Sequence, residues 1–270
     1  MFTPIQLPLP FPPLAPPRRA EQFHANTAEV TGVVQRLWLE ADTVLCRLQP
    51  DGQTNLITLN FPQAATALNL SMALGLRLRA RGYLRDFEVR ETLAEVLGRE
   101  WPALIQPGDE AITARHTVIN LIVESAEAVT TDVPAINTAT IGGVVARVWR
   151  LPRQADLFAS LAVYDAHTDI VQPNGDRPKR QAHYTRIVFP NGVTTDGLDV
   201  CLVEKQTVLV TGPLRGDTYS ERLAEFLKRA QRSERLDEAL ERRRLGRSIL
   251  RVVGERLIAF NARPARTREA

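Results

Sequence analysis

The side chains that could act as metal ligands, nucleophiles or acid–base groups are not spaced for these roles. The four histidines and two cysteines show no metal-ligand spacing. The sequence contains no glycine-rich phosphate loop, nucleophile elbow or paired-carboxylate motif. Glu91 and Glu221, like Glu95 and Glu225, recur with helical spacing, which we attribute to helix capping and solvated helix faces. The sequence therefore predicts a protein that binds without catalysis and uses neither metal nor cofactor.

The composition indicates a folded chain without a membrane-spanning helix. Its 270 residues are 44% hydrophobic and 24% charged, which is enough for a buried core and suits two domains. No apolar run approaches the roughly 20 residues that a spanning helix needs. Proline interrupts the first 20 residues and their positive charge comes last, so they do not resemble a secretory signal. With only two cysteines, we expect a soluble protein of a reducing compartment.

Charge is divided unevenly between the two halves of the chain. Residues 1–134 hold 11 Lys and Arg against 15 Asp and Glu, whereas residues 135–270 hold 23 against 16. The net charge of +3 therefore hides an acidic half and a basic half. A basic domain is typical of a polyanion binder, because each phosphate contact releases counterions. A solvated helix face explains the excess equally well, since much of it lies in 222–247.

Two stretches of the chain repeat each other. Between segments 81–99 and 211–229, nine of 19 positions are identical without a gap. Upstream, Phe61-Pro62 matches Phe189-Pro190, and a Gly-Val-Val-x-Arg-x-Trp motif begins at both Gly32 and Gly143. Because the order of the matches is kept, we infer that one unit was duplicated. The second copy has gained a longer connection at 165–181.

Each copy contains five runs typical of β-strands. Those of the first copy are Glu29–Leu39, Thr43–Leu48, Asn55–Phe61, Arg77–Leu84 and Thr117–Val129, and those of the second are Thr138–Trp149, Leu157–Tyr164, His183–Phe189, Thr207–Leu214 and Ser248–Phe260. Helices are predicted between the third and fourth strands, at Gln63–Leu74 and, more weakly, at Val193–Val203. This element order is that of the five-stranded OB barrel. We therefore expect a mainly β protein with helical insertions, built from two tandem OB barrels.

A helical insertion at 218–246 is predicted in the second copy. Thr218-x-x-Glu221 has the pattern of a capping box, and Gly246 would end the insertion. Two apolar stripes follow the box, namely Leu223, Phe226, Leu227 and Ala230, and then Leu236, Ala239 and Leu240.

The expected domain organisation has five parts. They are an arm at 1–27, a first OB domain at 28–130, a linker at 131–137, a second OB domain at 138–261 and a basic tail at 262–270. Seven prolines within 1–17 predict an extended, polyproline-like arm, either draped over the protein or recognised by a groove-binding domain.

The second copy resembles the bacterial single-stranded DNA-binding protein (SSB) family from about Asn137 to Phe260. Thr140–Val145 resembles the family's opening strand, and His183–Phe189 resembles its aromatic-x-Arg-Val-Val third strand. Val208–Tyr219 is similar to its apolar strand, followed by Gly-x-Leu-Arg and an aromatic residue four positions later. The resemblance implies binding of single-stranded DNA in replication, repair or recombination. It also implies assemblies of several barrels, hence a homodimer, near the nucleoid in the bacterial cytoplasm.

The resemblance also implies which residues bind the strand. Tyr184 and Tyr219 fall where the family has base-stacking aromatics, and Arg186 and Arg215 fall where it has cations along the strand path. A stacked ring contributes roughly 1–3 kcal/mol per base, while arginine follows phosphate without reading sequence. The other candidates are Arg177, Lys179 and Arg180 in the long connection, which can fold over a bound strand, together with Arg147 and Trp149. Trp38 matches Trp149 in the first copy, which favours a packing role for both tryptophans.

The first copy departs from this pattern. The positions that match Tyr184, Arg186 and Tyr219 are Leu56, Thr58 and Val89. We therefore expect its binding face to be weakened or lost and the first copy to serve assembly.

Two alternatives stay open. OB barrels could bridge proteins in a larger nucleoprotein machine, or form an accessory subunit of a nucleic-acid enzyme. RNA also stays open as a ligand, because stacking and phosphate contacts do not distinguish the two sugars. The chain ends in a basic tail where the family has an acidic one, which puts recruitment of replication or repair proteins by the family's usual route in doubt.

Overall fold

The described part of the protein consists mainly of β-strands, with three short α-helices. The computed structural model describes residues 25–40, 43–62, 73–151, 154–164 and 182–260. The expectation of a mainly β protein with few helices is confirmed. Residues 1–24 of the proline-rich arm, most of the predicted helix Gln63–Leu74, the long connection and the basic tail lie outside the described residues. Asn26 and Thr27, which were expected in the arm, instead begin the first strand because they pair with the second copy.

The strands of the first copy pair in a closed circuit. They are β1 (Asn26–Glu40), β2 (Thr43–Pro50), β3 (Ile57–Phe61), β4 (Arg77–Thr92) and β5 (Thr113–Ala128). Strand β1 pairs with β2 and β4, β2 with β3, and β4 with β5, all antiparallel, whereas β3 and β5 are parallel. Each strand thus pairs with two others of its own copy, and alternating apolar side chains are buried in the core, among them Val30, Leu48 and Phe61.

The second copy repeats this circuit with its last two strands each broken in two. Its strands are β6 (Asn137–Arg150), β7 (Leu157–Val163), β8 (His183–Phe189), β9 (Thr207–Gly212), β10 (Leu214–Arg222), β11 (Arg244–Val253) and β12 (Arg256–Phe260). Strand β6 pairs with β7 and β9, β7 with β8, β8 with β11, β10 with β11, and β9 with β12. Pro213 separates β9 from β10, because proline has no N–H for the ladder.

Details of register recur at matching positions of the two copies. A β-bulge lies between Val34 and Arg36 in β1 and between Val145 and Arg147 in β6. Gly82 and Gly212 lie where strands approach closely, since a Cβ atom would come within 1.7 Å and 1.8 Å of a backbone carbonyl oxygen. Glycine is required at both positions for the same steric reason. The match read from the sequence therefore extends to strand pairing.

The two copies are joined through strands and helices. Strands β1 and β6 pair antiparallel from Asn26 opposite Ile141 to Val30 opposite Asn137. Helix α1 (Leu93–Glu100) of the first copy shares a separate apolar cluster with α2 (Leu223–Arg229) and α3 (Glu238–Glu241) of the second. The fully buried members of this cluster include Leu93, Val96, Leu97, Leu223, Phe226 and Leu227.

A buried ionic cluster lies at this junction. Arg247 of the second copy bonds Glu91 of the first and donates Nε to Glu221 of its own copy over 2.9 Å. Arg99 and Arg229 are second partners of Glu91 and Glu221, respectively. Burial alone would raise the pKa of both carboxyls, but hydrogen bonds from these arginines outweigh it and hold each pKa below its usual range. The interpretation of Glu91 and Glu221 as capping or solvated residues is therefore wrong.

The predicted helical insertion begins later than expected. Thr218–Arg222 continues strand β10, with Thr218 opposite Ser248 and Glu221 opposite Leu245, so Thr218 and Glu221 form no capping box. Helix α2 begins at Leu223 without a side-chain cap, and Gly246 lies in β11 rather than at a helix end. Pairing with β11 determines that this segment is a strand, because the Thr-x-x-Glu pattern alone fits a strand as well as a helix start.

The prediction of a helix at Val193–Val203 is also wrong. The chain forms a short 3₁₀ turn at Pro190–Gly192 and then an irregular segment with one isolated bridge, between Val193 and Asp199. The capping box does occur in the first copy, where Thr92 accepts from the Glu95 backbone and Glu95 accepts from the Thr92 backbone. Across the described ranges, no helix combines the length and apolar character that crossing a membrane requires.

Candidate nucleic-acid interface

Three strands of the second copy bring two rows of side chains together. Arg147 on β6, Ser160 on β7 and Arg186 on β8 are paired in register and form the first row. Trp149, Phe158 and Val188 form the second row beside it. Directly paired residues share a face of the sheet. We call the surface of Arg147, Trp149, Phe158, Tyr184 and Arg186 the second-copy face.

Aromatic rings and guanidinium groups lie against one another on this face. The rings of Trp149 and Phe158 are stacked, with centroids 5.8 Å apart and planes 15° apart. The guanidinium of Arg147 lies 5.7 Å from the Trp149 ring, and that of Arg251 lies 5.0 Å from the Phe158 ring. Each guanidinium is attracted by the ring's quadrupole. The tryptophan thus packs, as its recurrence predicted, while remaining partly accessible.

The second-copy face continues into a cluster with more positive than negative charge. Asp217 on β10 accepts hydrogen bonds from Arg215 and from Arg251 over 2.9 Å. Burial lowers the pKa of Arg251; Asp217 opposes this effect, whereas the charges of Arg186 and Arg215 add to it. Two guanidinium groups therefore share one carboxylate, and the charge of a third, Arg186, acts on Arg251. A phosphate would relieve the excess positive charge.

Both predicted tyrosines are accessible for stacking. The Tyr184 side chain is 47% exposed and that of Tyr219 is 39% exposed. Tyr184 lies opposite the small Ala162 on β7, two residues before Arg186 on β8 and on the same face of the sheet. Tyr219 lies opposite Arg247 on the β10–β11 hairpin, and β11 separates it from β8. The structure therefore groups Tyr184 with the second-copy face and places Tyr219 apart from it.

The other predicted residues either lie on or beside the second-copy face or fall outside the described residues. Arg147, Trp149 and Arg186 lie together, and Arg215 joins them through Asp217 and Arg251. Arg177, Lys179 and Arg180 lie outside the described residues.

Sequence reasoning missed Phe158 and Arg251. Phe158 is buried in an apolar run that gave no reason to single it out. Arg251 carried a usable signal, because a charged residue among Ile249, Leu250 and Val252 marks an exposed strand position. Its proximity to Phe158 depends on the pairing of β11 with β8 and was not visible in the sequence.

The first copy has an equivalent surface with a different distribution of arginines. Arg36, Arg47 and Thr58 form the first row, and Trp38, Leu45 and Asn60 form the second. We call these six residues the first-copy face. Arg47 occupies the place of Ser160, and Thr58 occupies that of Arg186. Burial, and then the charge of Arg36, lowers the pKa of Arg47. Each copy thus has two arginines in its first row.

A cavity of about 570 Å³ opens between the first-copy face and the β10–β11 hairpin. Its walls include Trp38, Leu45, Asn60 and Asn120 of the first copy and Ile249 of the second. The two copies touch here through Gly216, where a Cβ atom would lie 2.0 Å from the Leu56 carbonyl oxygen. Glycine therefore allows the hairpin to approach β3. The expectation that the first copy binds a strand weakly stays a prediction.

The part of the chain that the structure describes contains no cluster of three His, Cys, Asp or Glu residues suited to a metal ion. Cys46 is buried, which raises the pKa of its thiol to about 12, and Cys201 is exposed. His183 Nδ1 lies 2.9 Å from Asp86 Oδ1, a contact between the two copies.

Comparison with known proteins gives structural neighbours only. No protein-family model matches the chain, and no curated protein matches it. The wild-type single-stranded DNA binding protein from Thermus aquaticus matches with a TM-score of 0.48 and 12% sequence identity, over 90% of this chain and 96% of that one. A deletion mutant of that protein matches with a TM-score of 0.49 and 11% identity, over 87% and 94%. Both matches are similarities of overall structure at low sequence identity.

Proposed function

We propose that the protein binds single-stranded DNA without catalysis, through the second-copy face. The observation that carries this proposal is the row of Arg147 and Arg186 beside Trp149, with an exposed Tyr184 on the same three strands. Aromatic rings on a cationic sheet surface provide stacking for bases and contacts for phosphates. Neither interaction depends on base identity, so this face binds strands of any sequence.

The architecture proposed for this function is a pair of tandem OB barrels. The closed circuits β1-β2-β3-β5-β4 and β6-β7-β8-β11-β10, with β9 and β12 completing the second, support it. The domain limits are those expected from the sequence, 28–130 and 138–261, with the helical part of the second domain beginning at Leu223. We further propose that two chains associate as a homodimer.

The choice of DNA, and of a role in replication, repair or recombination in the bacterial cytoplasm, follows from the motif resemblance. The connection with Arg177, Lys179 and Arg180 would contribute further phosphate contacts by folding over the strand. Because binding neutralises phosphates, the logarithm of the affinity should fall linearly with the logarithm of the salt concentration, with a slope of about −0.7 per contact.

Titration of oligo-dT at two salt concentrations, followed by tryptophan fluorescence, tests the proposal. We expect quenching, strong salt dependence and weaker binding by Tyr184→Ala and Arg186→Ala. Arg256→Ala is the matched control, because it removes an exposed arginine from β12, outside the second-copy face. Unchanged affinity in both face variants would instead favour a protein-interaction module or an accessory subunit, which co-purification with a stable partner would identify.

A further inference from the structure

The two faces differ at three positions that are equivalent by strand register. The second copy has Phe158, Val188 and Arg251, where the first has Leu45, Asn60 and Asn120. In the second copy the Phe158 ring is only 3% exposed, stacked on Trp149 and covered by Arg251. In the first copy the smaller side chains leave the cavity of about 570 Å³.

The cavity combines flat aromatic and apolar walls with a few polar groups. Trp38, Phe87 and Leu56 belong to the first copy, and Ile249 and Leu250 of the second copy close the opposite side. Pockets for small organic ligands have volumes of roughly 300–1,000 Å³ and this kind of lining. A planar heterocycle is therefore the class of ligand that fits.

The polar groups narrow the class further. Asn60 and Asn120 each place a carboxamide in the lining. Asn60 Oδ1 is buried and has no hydrogen-bond partner among the residues that the structure describes. A buried acceptor of this kind favours a ligand that brings an N–H donor. The lining also holds Arg47 and Arg90 together with Glu40 and Glu88, so its charges balance and recognition depends on the base itself.

We propose that this cavity binds one nucleobase of the strand and prefers adenine. This inference rests on the proposed function, since the strand on the second copy delivers the base. An asparagine carboxamide matches adenine's amino group and adjacent ring nitrogen, with one hydrogen bond accepted and one donated. A purine also covers more of the Trp38 and Phe87 rings than a pyrimidine does. We thus assign the first copy a preference for one base, where the sequence predicts a weakened or lost face.

The test compares oligo-dA with oligo-dT of equal length on the wild type and two variants. Leu45→Phe introduces the second copy's residue and places a larger ring beside Trp38, which narrows the cavity there, and Asn60→Val introduces that copy's equivalent of Val188 and removes the carboxamide. We expect each variant to lose about tenfold in affinity for oligo-dA and less than about twofold for oligo-dT. Leu45→Met is the matched control, because it keeps the side-chain volume and the cavity. An unchanged ratio of the two affinities in both variants overturns the inference.

Failure of this inference can be told apart from failure of the proposed function. Tyr184→Ala lowers the affinity for both strands alike if the second-copy face binds them, whatever the cavity does. If the wild type binds neither strand, the proposed function fails, and dAMP then tests the cavity directly through Trp38 fluorescence in a variant that carries both Trp101→Phe and Trp149→Phe. Tighter binding of dAMP than of dTMP, lost in Leu45→Phe, supports the cavity, and equal binding or none overturns it.

Discussion

The two copies have the same strand register, yet their outer faces offer different binding surfaces. In the second copy Phe158 fills the space beside Trp149, and Arg251 covers it, so the face is a filled platform. In the first copy Leu45 and Asn120 leave that space open. The three exchanges between register-equivalent positions thus accompany the difference between a filled platform and an open cavity. Strand pairing fixes where side chains lie, and side-chain volume decides what can bind there.

The two copies also differ in which strands carry the arginines of the first row. The second copy carries its row charges on the first and third strands, at Arg147 and Arg186, whereas the first copy carries them on the first and second, at Arg36 and Arg47. Position-by-position comparison of the sequence detects a loss at Thr58. The strand register shows that the first copy carries a positive charge one strand away, at Arg47.

The largest expected effect comes from breaking the junction that holds the two faces beside each other. Arg247→Met leaves Glu91 and Glu221 without their shared buried partner, and removing one member of a buried ionic group costs about 3–5 kcal/mol. Denaturant unfolding measures this loss. Arg244→Met, an exposed arginine on the same strand, should change the free energy of unfolding by less than about 0.5 kcal/mol. Equal effects of the two substitutions would show that the cluster does not stabilise the junction.

A second prediction compares the tyrosine with its counterpart. Tyr184→Ala should weaken oligo-dT binding by about 1–3 kcal/mol, because an exposed ring that stacks on a base is lost. Leu56→Ala should change it much less, since an aliphatic side chain at that position stacks on nothing. Fluorescence titration of both variants with oligo-dT measures the two losses in affinity. A comparable loss for Leu56→Ala would mean that the platform is not confined to the second copy.

A third prediction concerns charge in the first row. Arg186→Ala should reduce the salt slope of oligo-dT binding by about 0.7, the value for one phosphate contact on a single strand. Arg47→Ala should reduce the slope equally if the first copy also contacts the backbone beside its cavity. Titrations at several salt concentrations measure both slopes. An unchanged slope for Arg47→Ala would leave phosphate binding to the second copy.

The smallest expected effect is the dependence of the junction on pH. The folded-state pKa values of Glu91 and Glu221 lie below the ordinary value of 4.5, so their contribution to stability is present above pH 4.5 and is lost as the pH falls through the folded-state values. The free energy of unfolding should therefore decrease as the pH falls below about 4.5. Glu91→Gln should make this decrease shallower. A decrease as steep as that of the wild type would assign it to other carboxyls.

Much of the fold could be predicted from the alternation of apolar residues. The run Thr138–Trp149 became β6 (Asn137–Arg150), and His183–Phe189 was matched without change. The errors occurred where a local pattern fits two structures. Thr218-x-x-Glu221 was interpreted as a helix start, but pairing with β11, some 25 to 30 residues later in the chain, makes it a strand.

The candidate site could be predicted only in part, for a related reason. Tyr184 and Arg186 were found because they fall at the aromatic and arginine positions of the third-strand motif that resembles the SSB family. Phe158 and Asn60 were not found, because an apolar residue in an apolar strand and a polar residue at its edge are ordinary there. Their roles depend on neighbours in other strands, Trp149 for Phe158 and the hairpin residue Ile249 for the cavity that Asn60 lines.

The sequence by itself determined the repeated unit, the order of strands within it and the strand positions of Tyr184 and Arg186, because periodicity and repetition are local properties of a chain. Only the tertiary structure decided that Arg247 joins the two copies, that Arg251 covers Phe158 and that the first copy contains a cavity. These contacts bring together residues from different strands, and β-pairing and side-chain volume act between residues that are distant in sequence.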